Sequence, residues 1–319
     1  MASPATGLGL REATLRGLRR EPKALPTVWL YDERGSQLYE EITRLPEYYL
    51  PRREREILRA HSPEIASRTQ ARTLVELGAG NAQRTRLLLD ALAGTLERFV
   101  PLDVSEEFLH ATAEAVAEEY PLIAVEPFVG DFERDLRSLP AGGPRLIALL
   151  GSTIGNFYPS QRRRFLGAVA AALEDDDAFL VGIDLVKDVT RLEAAYNDER
   201  GVTETFVRNA LTAVNRELGA TFDQGRFSYD AYWDRERGWM DIGFRARQQH
   251  TVSLGALELE VAFAEDEQLR VEVSSKFRRE PVELEARDAG LCVDGWWMDG
   301  AGDFALALMT RNEGRSTCL

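Results

Sequence analysis

The chain has 319 residues, 44% of them apolar and 29% charged, and its 39 basic against 53 acidic side chains give a formal net charge of −14. That length can bury one large core or two ordinary ones. The acidic balance argues against a nucleic-acid binder, which gains affinity from a basic surface that displaces counterions. No apolar run reaches the ~18 residues of a membrane span and the N-terminus carries no apolar targeting core, so the chain reads as a cytoplasmic protein handling a small molecule, with no membrane or nucleic-acid partner. Its two cysteines, Cys292 and Cys318, share no metal-ligand spacing with each other or with His61, His110 and His250. They read as buried or idle thiols of a reducing compartment, with no metal bound.

Residues 1–27 are mixed, with a short amphipathic pattern at Leu10, Leu15 and Leu18. Residues 28–60 have another texture: Trp29, Tyr31, Tyr39, Tyr48 and Tyr49, with Pro46 and Pro51 between helical patterns. So many rings suit a half-buried packing face as well as a binding surface. From 72 to 184, strand-like runs at Thr73–Leu77, Phe99–Leu102, Ile123–Phe128, Leu146–Leu150 and Ala178–Ile183 alternate with helix-like segments at Arg84–Leu92, Glu106–Glu119 and Gln161–Leu173. Asp131–Leu139 reads as a short helical turn. This alternation predicts a parallel sheet with crossover helices. Thr190–Leu218 then reads as one or two helices broken near Gly201, followed by a meander of strands at Trp239–Gln249, Gln249–Leu254, Leu257–Phe263 and Leu269–Ser275. Residues 282–289 look helical, and Leu291–Trp297 with Phe304–Thr310 predict a hairpin that returns to the first sheet. The pattern is a cofactor domain, 53–186 plus 276–319, interrupted by an inserted domain that the N-terminal segment joins, 1–52 plus 187–275.

Gly78-Ala79-Gly80 follows a strand and precedes a helix, the context a glycine-rich cofactor turn needs. The third glycine of a dinucleotide fingerprint is absent, since position 83 is Gln, which leaves a pyrophosphate less well served. Asp103, at the end of the second strand, can accept hydrogen bonds from both hydroxyls of a ribose. Asp131-Phe132, closing the third, offers an acceptor for an adenine amino group with a ring beside it. Each aspartate alone could be a helix cap. Together they suit S-adenosyl-L-methionine better than a nicotinamide dinucleotide, although a dehydrogenase stays open at this level.

Longer motifs go further. Tyr31-Asp32-Glu33-Arg34-Gly35-Ser36 and Ile42-Thr43-Arg44-Leu45-Pro46-Glu47-Tyr48-Tyr49 resemble the N-terminal signature of the histidine Nα-methyltransferases of ergothioneine biosynthesis. The resemblance continues through Val75–Gly80, Gly151-Ser152-Thr153-Ile154-Gly155-Asn156, Asp184–Asp188, Ala195-Tyr196, Gly201-Val202-Thr203, Glu272-Val273-Ser274 and Trp296-Trp297. It implies an α/β fold, the Rossmann-like sheet of a class I S-adenosylmethionine-dependent methyltransferase with an inserted second α+β domain. It implies trimethylation of the α-amino group of L-histidine to hercynine; the chain is expected to act as a monomer.

Carried over by position, the resemblance implies a cofactor set of Gly78, Arg84, Asp103, Asp131 and Phe132. The implied substrate set is Tyr31, Tyr39, Tyr48, Asn156, Tyr196, Ile242, Glu272 and Ser274, with Tyr31 and Asn156 nearest the chemistry. Two positions depart from the family pattern: Arg84 where it has Lys, and Ile242 where it has Met. Asn156 and Tyr196 present neutral donors for a carboxylate. Glu272 and Ser274, two apart on a predicted strand, share a face and can read the two imidazole nitrogens. An aromatic amino acid such as tryptophan as substrate, and a non-catalytic cofactor-binding regulator, are the competing readings.

Overall fold

The computed structural model describes residues 8–312. Its elements begin with α1 (Leu8–Leu18), β1 (Lys23–Ala24), α2 (Glu33–Ile42), α3 (Leu50–Thr69), β2 (Thr73–Leu77), α4 (Arg86–Leu92), β3 (Arg98–Asp103) and α5 (Glu106–Glu119). There follow β4 (Ala124–Val125), β5 (Phe128–Val129), α6 (Phe132–Asp135), β6 (Arg145–Leu149), α7 (Pro159–Ala172), β7 (Ala178–Asp184), α8 (Val189–Ala194) and α9 (Val202–Leu218). The chain ends with β8 (Phe227–Asp234), β9 (Trp239–Ala246), β10 (His250–Leu254), β11 (Leu259–Phe263), β12 (Gln268–Ser275), α10 (Arg279–Asp288), β13 (Leu291–Met298) and β14 (Phe304–Arg311). Two compact units emerge: the chain up to Tyr49 with Lys187–Ser275, and Leu50–Val186 with the chain from Lys276 onward. The first division falls at the start of α3, three residues before the position read from sequence.

In the second unit the strands run in the order β13-β14-β7-β6-β2-β3-β4, with β5 also on β3. β7, β6, β2, β3 and β4 are parallel, and β14 joins β7 antiparallel as one arm of the terminal hairpin. β2, β6 and β7 are buried at every position, as strands covered on both faces must be. Val75, Ile147, Val181 and Phe179 pack there against Phe165 and Val169 of α7 and Val282 and Ala286 of α10. The chain leaves β2 toward β3 and β4 and returns to β6 on the other side of β2. The strand order therefore reverses at the carboxyl ends of β2 and β6, where ligands of open α/β sheets bind. This is the α/β architecture of a class I methyltransferase.

Two details correct the sequence reading. Ile123–Phe128 is not one strand: Pro127 lacks the N–H that a ladder needs, and the run divides into β4 and β5. The helix after the glycine turn starts at Arg86, which leaves Arg84 in the turn itself.

The first unit holds a sheet in the order β1-β12-β9-β8 and a separate β10–β11 hairpin, not a single four-strand meander. β8 was not anticipated, because only Phe227 and Ala231 along it are fully buried and its polar positions mask the period. The predicted break at Gly201 is the gap between α8 and α9. Asp198 accepts from Val202 N at 2.9 Å and Thr203 N at 2.8 Å, which serves two of the orphan amides opening α9.

Cys292 is buried and disulfide-bonded, so the idle-thiol expectation fails for it; Cys318 lies outside the described residues. Among the described residues no helix is long and apolar enough to cross a membrane.

Burial pushes the Asp198 carboxyl up, but hydrogen bonds from Thr203 and Val202 outweigh it and hold the group below its usual range. Asp198→Ala is expected to lower stability by about 0.5–2 kcal/mol at neutral pH. Because the folded carboxyl titrates below the unfolded one, that contribution is present above the unfolded range near ~4 and is lost as pH falls through the lowered folded value. Thermal melts of both proteins from pH 7 downward should therefore converge at acid pH; a constant gap would assign the effect to something other than the charged cap.

Candidate active site

In the second unit the register of β2 against β3 sets Leu77 beside Leu102, so the turn that follows β2 lies against the end of β3. Gly78 and Gly80 take φ of 70° and 52°, backbone that glycine adopts without strain. Gly78 N donates to Leu102 O at 2.8 Å, and Gly80 N donates to Asp103 Oδ2 at 3.2 Å. Asp103 Oδ1 accepts from Ser105 N at 3.0 Å, so its carboxylate is aimed by backbone on both sides. Phe132 lies 3.7 Å from a Cβ built on Gly78, while nothing lies within 4 Å of one built on Gly80. The result is an open cradle with a ring at one wall and a carboxylate at the other, which fits an adenosine-type ligand.

Asp131 does act as a cap: its Oδ1 accepts from Glu133 N at 2.9 Å and opens α6. Phe132 packs edge-on against Phe157 and Phe165, with centroids 6.4 and 5.9 Å away. Arg84 is half-buried and bonds Glu54 Oε2 through Nη1 at 2.7 Å. Glu54, missed from sequence because it sits in the charge-rich Arg-Arg-Glu-Arg-Glu start of α3, is fully enclosed. After β6, Gly151 and Ser152 have φ of 78° and 59° and turn the chain into Thr153–Asn156, which leaves Asn156 half-buried at its end. Asp184 N donates to Ser152 Oγ at 2.9 Å and anchors that turn to β7.

In the first unit four of the expected tyrosines form one cluster. Tyr31 meets Tyr39 with centroids 5.8 Å apart, Tyr39 meets Tyr48 at 6.4 Å, and Tyr48 meets Tyr196 at 6.2 Å, all edge-to-face. Phe206 of α9 completes it, 5.5 Å from Tyr31 and 6.1 Å from Tyr39. Sequence reasoning missed Phe206, since a Phe on an amphipathic helix reads as core. Tyr196 Oη donates to Ser274 Oγ at 2.8 Å, and Tyr229, also missed, donates to Tyr196 O at 2.7 Å. Burial, then the neighbouring Tyr39, Tyr196, Tyr31 and Glu272, push the Tyr48 hydroxyl well above the usual phenol range, so it stays protonated.

On β12, Glu272 lies opposite Ile242 and Ser274 opposite Met240, so these four side chains share one face of the β12–β9 ladder. A bulge between Arg270 and Glu272 shifts the phase: Arg270 lies opposite Gly243, on the other face. There Arg270 pairs with buried Asp241, Nε to Oδ1 at 2.8 Å.

A family model described as "Histidine-specific methyltransferase, SAM-dependent" matches residues 10–311. The chain is 47% identical to Histidine N-alpha-methyltransferase of Mycobacterium tuberculosis over 313 residues, 98% of each protein. It is 34% identical over 300 residues to Ergothioneine biosynthesis protein 1 of Neurospora crassa, covering 91% of this chain and 33% of that longer one. To 4-dimethylallyltryptophan N-methyltransferase easF of Claviceps purpurea it is 26% identical over 324 residues, 93% of each. With its switch-point cradle and its match over nearly the whole described chain, the protein belongs to the family of histidine-specific, S-adenosylmethionine-dependent methyltransferases.

Proposed function

We infer that this chain methylates the α-amino group of L-histidine in ergothioneine biosynthesis, and we propose that it does so three times to give hercynine. The observation that carries the substrate is Glu272 and Ser274 on one face with Ile242 and Met240, beside a tyrosine cluster, in a chain 47% identical to a histidine Nα-methyltransferase. Another aromatic amino acid is the weaker reading: the tryptophan-derivative methyltransferase shares only 26%, and an indole has no acceptor nitrogen to match a carboxylate–hydroxyl pair. In this reading the protein works as a monomer on free histidine.

S-adenosyl-L-methionine, when bound, supplies a methyl group already activated on a sulfonium. The residues of this chain supply grip and orientation. Gly78 and Gly80 would let the backbone approach the donor, Asp103 would accept from its ribose hydroxyls, and Asp131 with Phe132 would receive the adenine. Arg84 would hold its α-carboxylate. On the acceptor side Glu272 would take the imidazole N–H, and Ser274 would donate to the other ring nitrogen. Tyr196 was expected on the substrate carboxylate. Its bond to Ser274 Oγ gives it a second task, since a serine that accepts from Tyr196 keeps its own hydrogen free to donate to the ring. Asn156 presents the other neutral donor for the carboxylate.

Tyr31 would hydrogen-bond the amine, which must be neutral to attack. Tyr39 and Tyr48 would offer ring faces that favour a methylated ammonium. Holding the amine lone pair behind the methyl carbon is the main contribution asked of the protein, and good orientation supplies up to roughly 7–11 kcal/mol in intramolecular models.

Mass spectrometry after incubation with histidine and S-adenosylmethionine should show a gain of three methyl groups, while tryptophan should stay unmodified. Glu272→Ala should lower kcat/KM for histidine by about a hundredfold, as expected for losing a hydrogen bond to a charged partner. Its affinity for S-adenosylmethionine by calorimetry should hold, and parallel losses of both would contradict the assigned role. Tyr39→Leu should weaken hercynine by about tenfold, within the ~2 kcal/mol of a desolvated cation–π contact. Histidine itself should change less; unchanged hercynine titrations would remove the cage.

A further inference from the structure

Glu54 sits in the second turn of α3 with its side chain 0% exposed, and both of its oxygens are engaged. Oε1 accepts from Gly151 N at 2.8 Å, and Oε2 accepts from Arg84 Nη1 at 2.7 Å. A buried carboxylate is costly to desolvate, and an apolar residue of like volume would avoid that cost. The fold nevertheless keeps space for it. A Cβ built on Gly182 of β7 would collide with Glu54 Oε1, and one built on Gly151 would lie 3.2 Å from both terminal nitrogens of Arg84. Four segments thus converge on one carboxylate: α3, the turn after β2, the turn after β6 and the middle of β7.

We propose that Glu54 is a positioning residue for methyl-donor binding: it holds the plane of the Arg84 guanidinium in the orientation that meets the donor's α-carboxylate, and it ties the 151–156 turn to the same anchor. This rests on the assignment of Arg84 to that carboxylate. A lysine at this position would present a compact charge on a flexible stem and need no such guide. A guanidinium is a planar fork, and its fit to a carboxylate depends on orientation. Glu54 supplies the orientation, and Gly151 N holds Glu54 in turn.

The test uses the full chain, calorimetry, and two titrants: S-adenosylmethionine and its decarboxylated analogue, S-adenosylmethioninamine. Glu54→Gln should weaken S-adenosylmethionine by about tenfold or more, the scale of one charge-assisted hydrogen bond. The analogue, which has no carboxylate to misalign, should weaken by less than about threefold, below the ~1.4 kcal/mol that a factor of ten represents. Equal weakening of both, or of neither, overturns the proposal. If the Gln variant does not fold, Glu54→Asp, which keeps the charge and retracts it by one methylene, is read the same way: a selective loss supports the proposal and an equal loss overturns it. Arg84→Met separates the underlying assignment. If it leaves the discrimination between the two titrants intact, the role of Arg84 is wrong. If it abolishes the discrimination while both Glu54 variants keep it, only the role of Glu54 is wrong.

Discussion

The second unit depends on the register of β2 between β3 and β6. Thr73 lies opposite Arg98 on one side and Arg145 on the other, so three parallel strands end nearly level. Their following turns are then brought within hydrogen-bond reach: Gly80 N meets Asp103, and the turn at Gly151 meets the carboxylate that also holds Arg84. A slip of one residue would turn every side chain of a strand to the opposite face and break all of these contacts together. β2 and β6 are buried at every position, so a slip would force side chains of different size into both packed faces.

A bulge plays the comparable part in the first unit. Arg270 and Glu272 are two apart, and in a regular strand they would share a face and face one another as a charge pair. The phase shift between them sends Arg270 to Gly243 and Asp241, while Glu272 stays with Ile242, Ser274 and Met240. The cation of this strand is therefore neutralised on the far face, and the carboxylate near Tyr48 and Tyr229 is separated from it. Both hydroxyls are pushed up by burial first and by that same carboxylate among other groups, so Tyr48 and Tyr229 present neutral phenols. Neutral phenols can donate hydrogen bonds to an amino acid, and their rings can tolerate a cationic product.

What could be read from sequence follows from what a periodic pattern encodes. The apolar runs of β2, β3, β6 and β7 and the terminal hairpin were legible because strands buried on both faces leave a continuous signal. β8 was not, since Phe227-Ser228-Tyr229-Asp230 places polar groups where half-buried positions allow them. The bulge at 270–272 was invisible because it is a relation between two strands. It happens to leave the Glu272–Ser274 spacing intact, so the inference from that spacing met the structure while the same inference from Arg270 to Glu272 would have failed. Glu54 and Phe206 were missed for one reason: each lies on an amphipathic helix where its residue type has an ordinary explanation, solvated charge for one and core for the other. Long motifs named these tyrosines one by one, and the packing brings Tyr31, Tyr39, Tyr48 and Tyr196 into one cluster and bonds Tyr196 to Ser274.

The acids around Arg84 show how one cation is shared without adding surplus charge. Burial pushes Glu76 up to about 8, so near neutral pH it is largely protonated and contributes little negative potential. Burial also raises Glu54, and Arg84 and the Gly151 amide offset only part of that rise, while both of its oxygens stay bonded to them. Neither member of that pair is cheap to remove: without Glu54 the guanidinium loses a buried acceptor, and without Arg84 an enclosed carboxylate loses its cation. In a protein of net charge −14, the long-range field favours the cationic groups of the donor and not its carboxylate. A cation already matched to a carboxylate adds little net field either. Selection of a second carboxylate at this turn must then come from the direction of the guanidinium N–H groups, which is the property the Glu54 contact fixes.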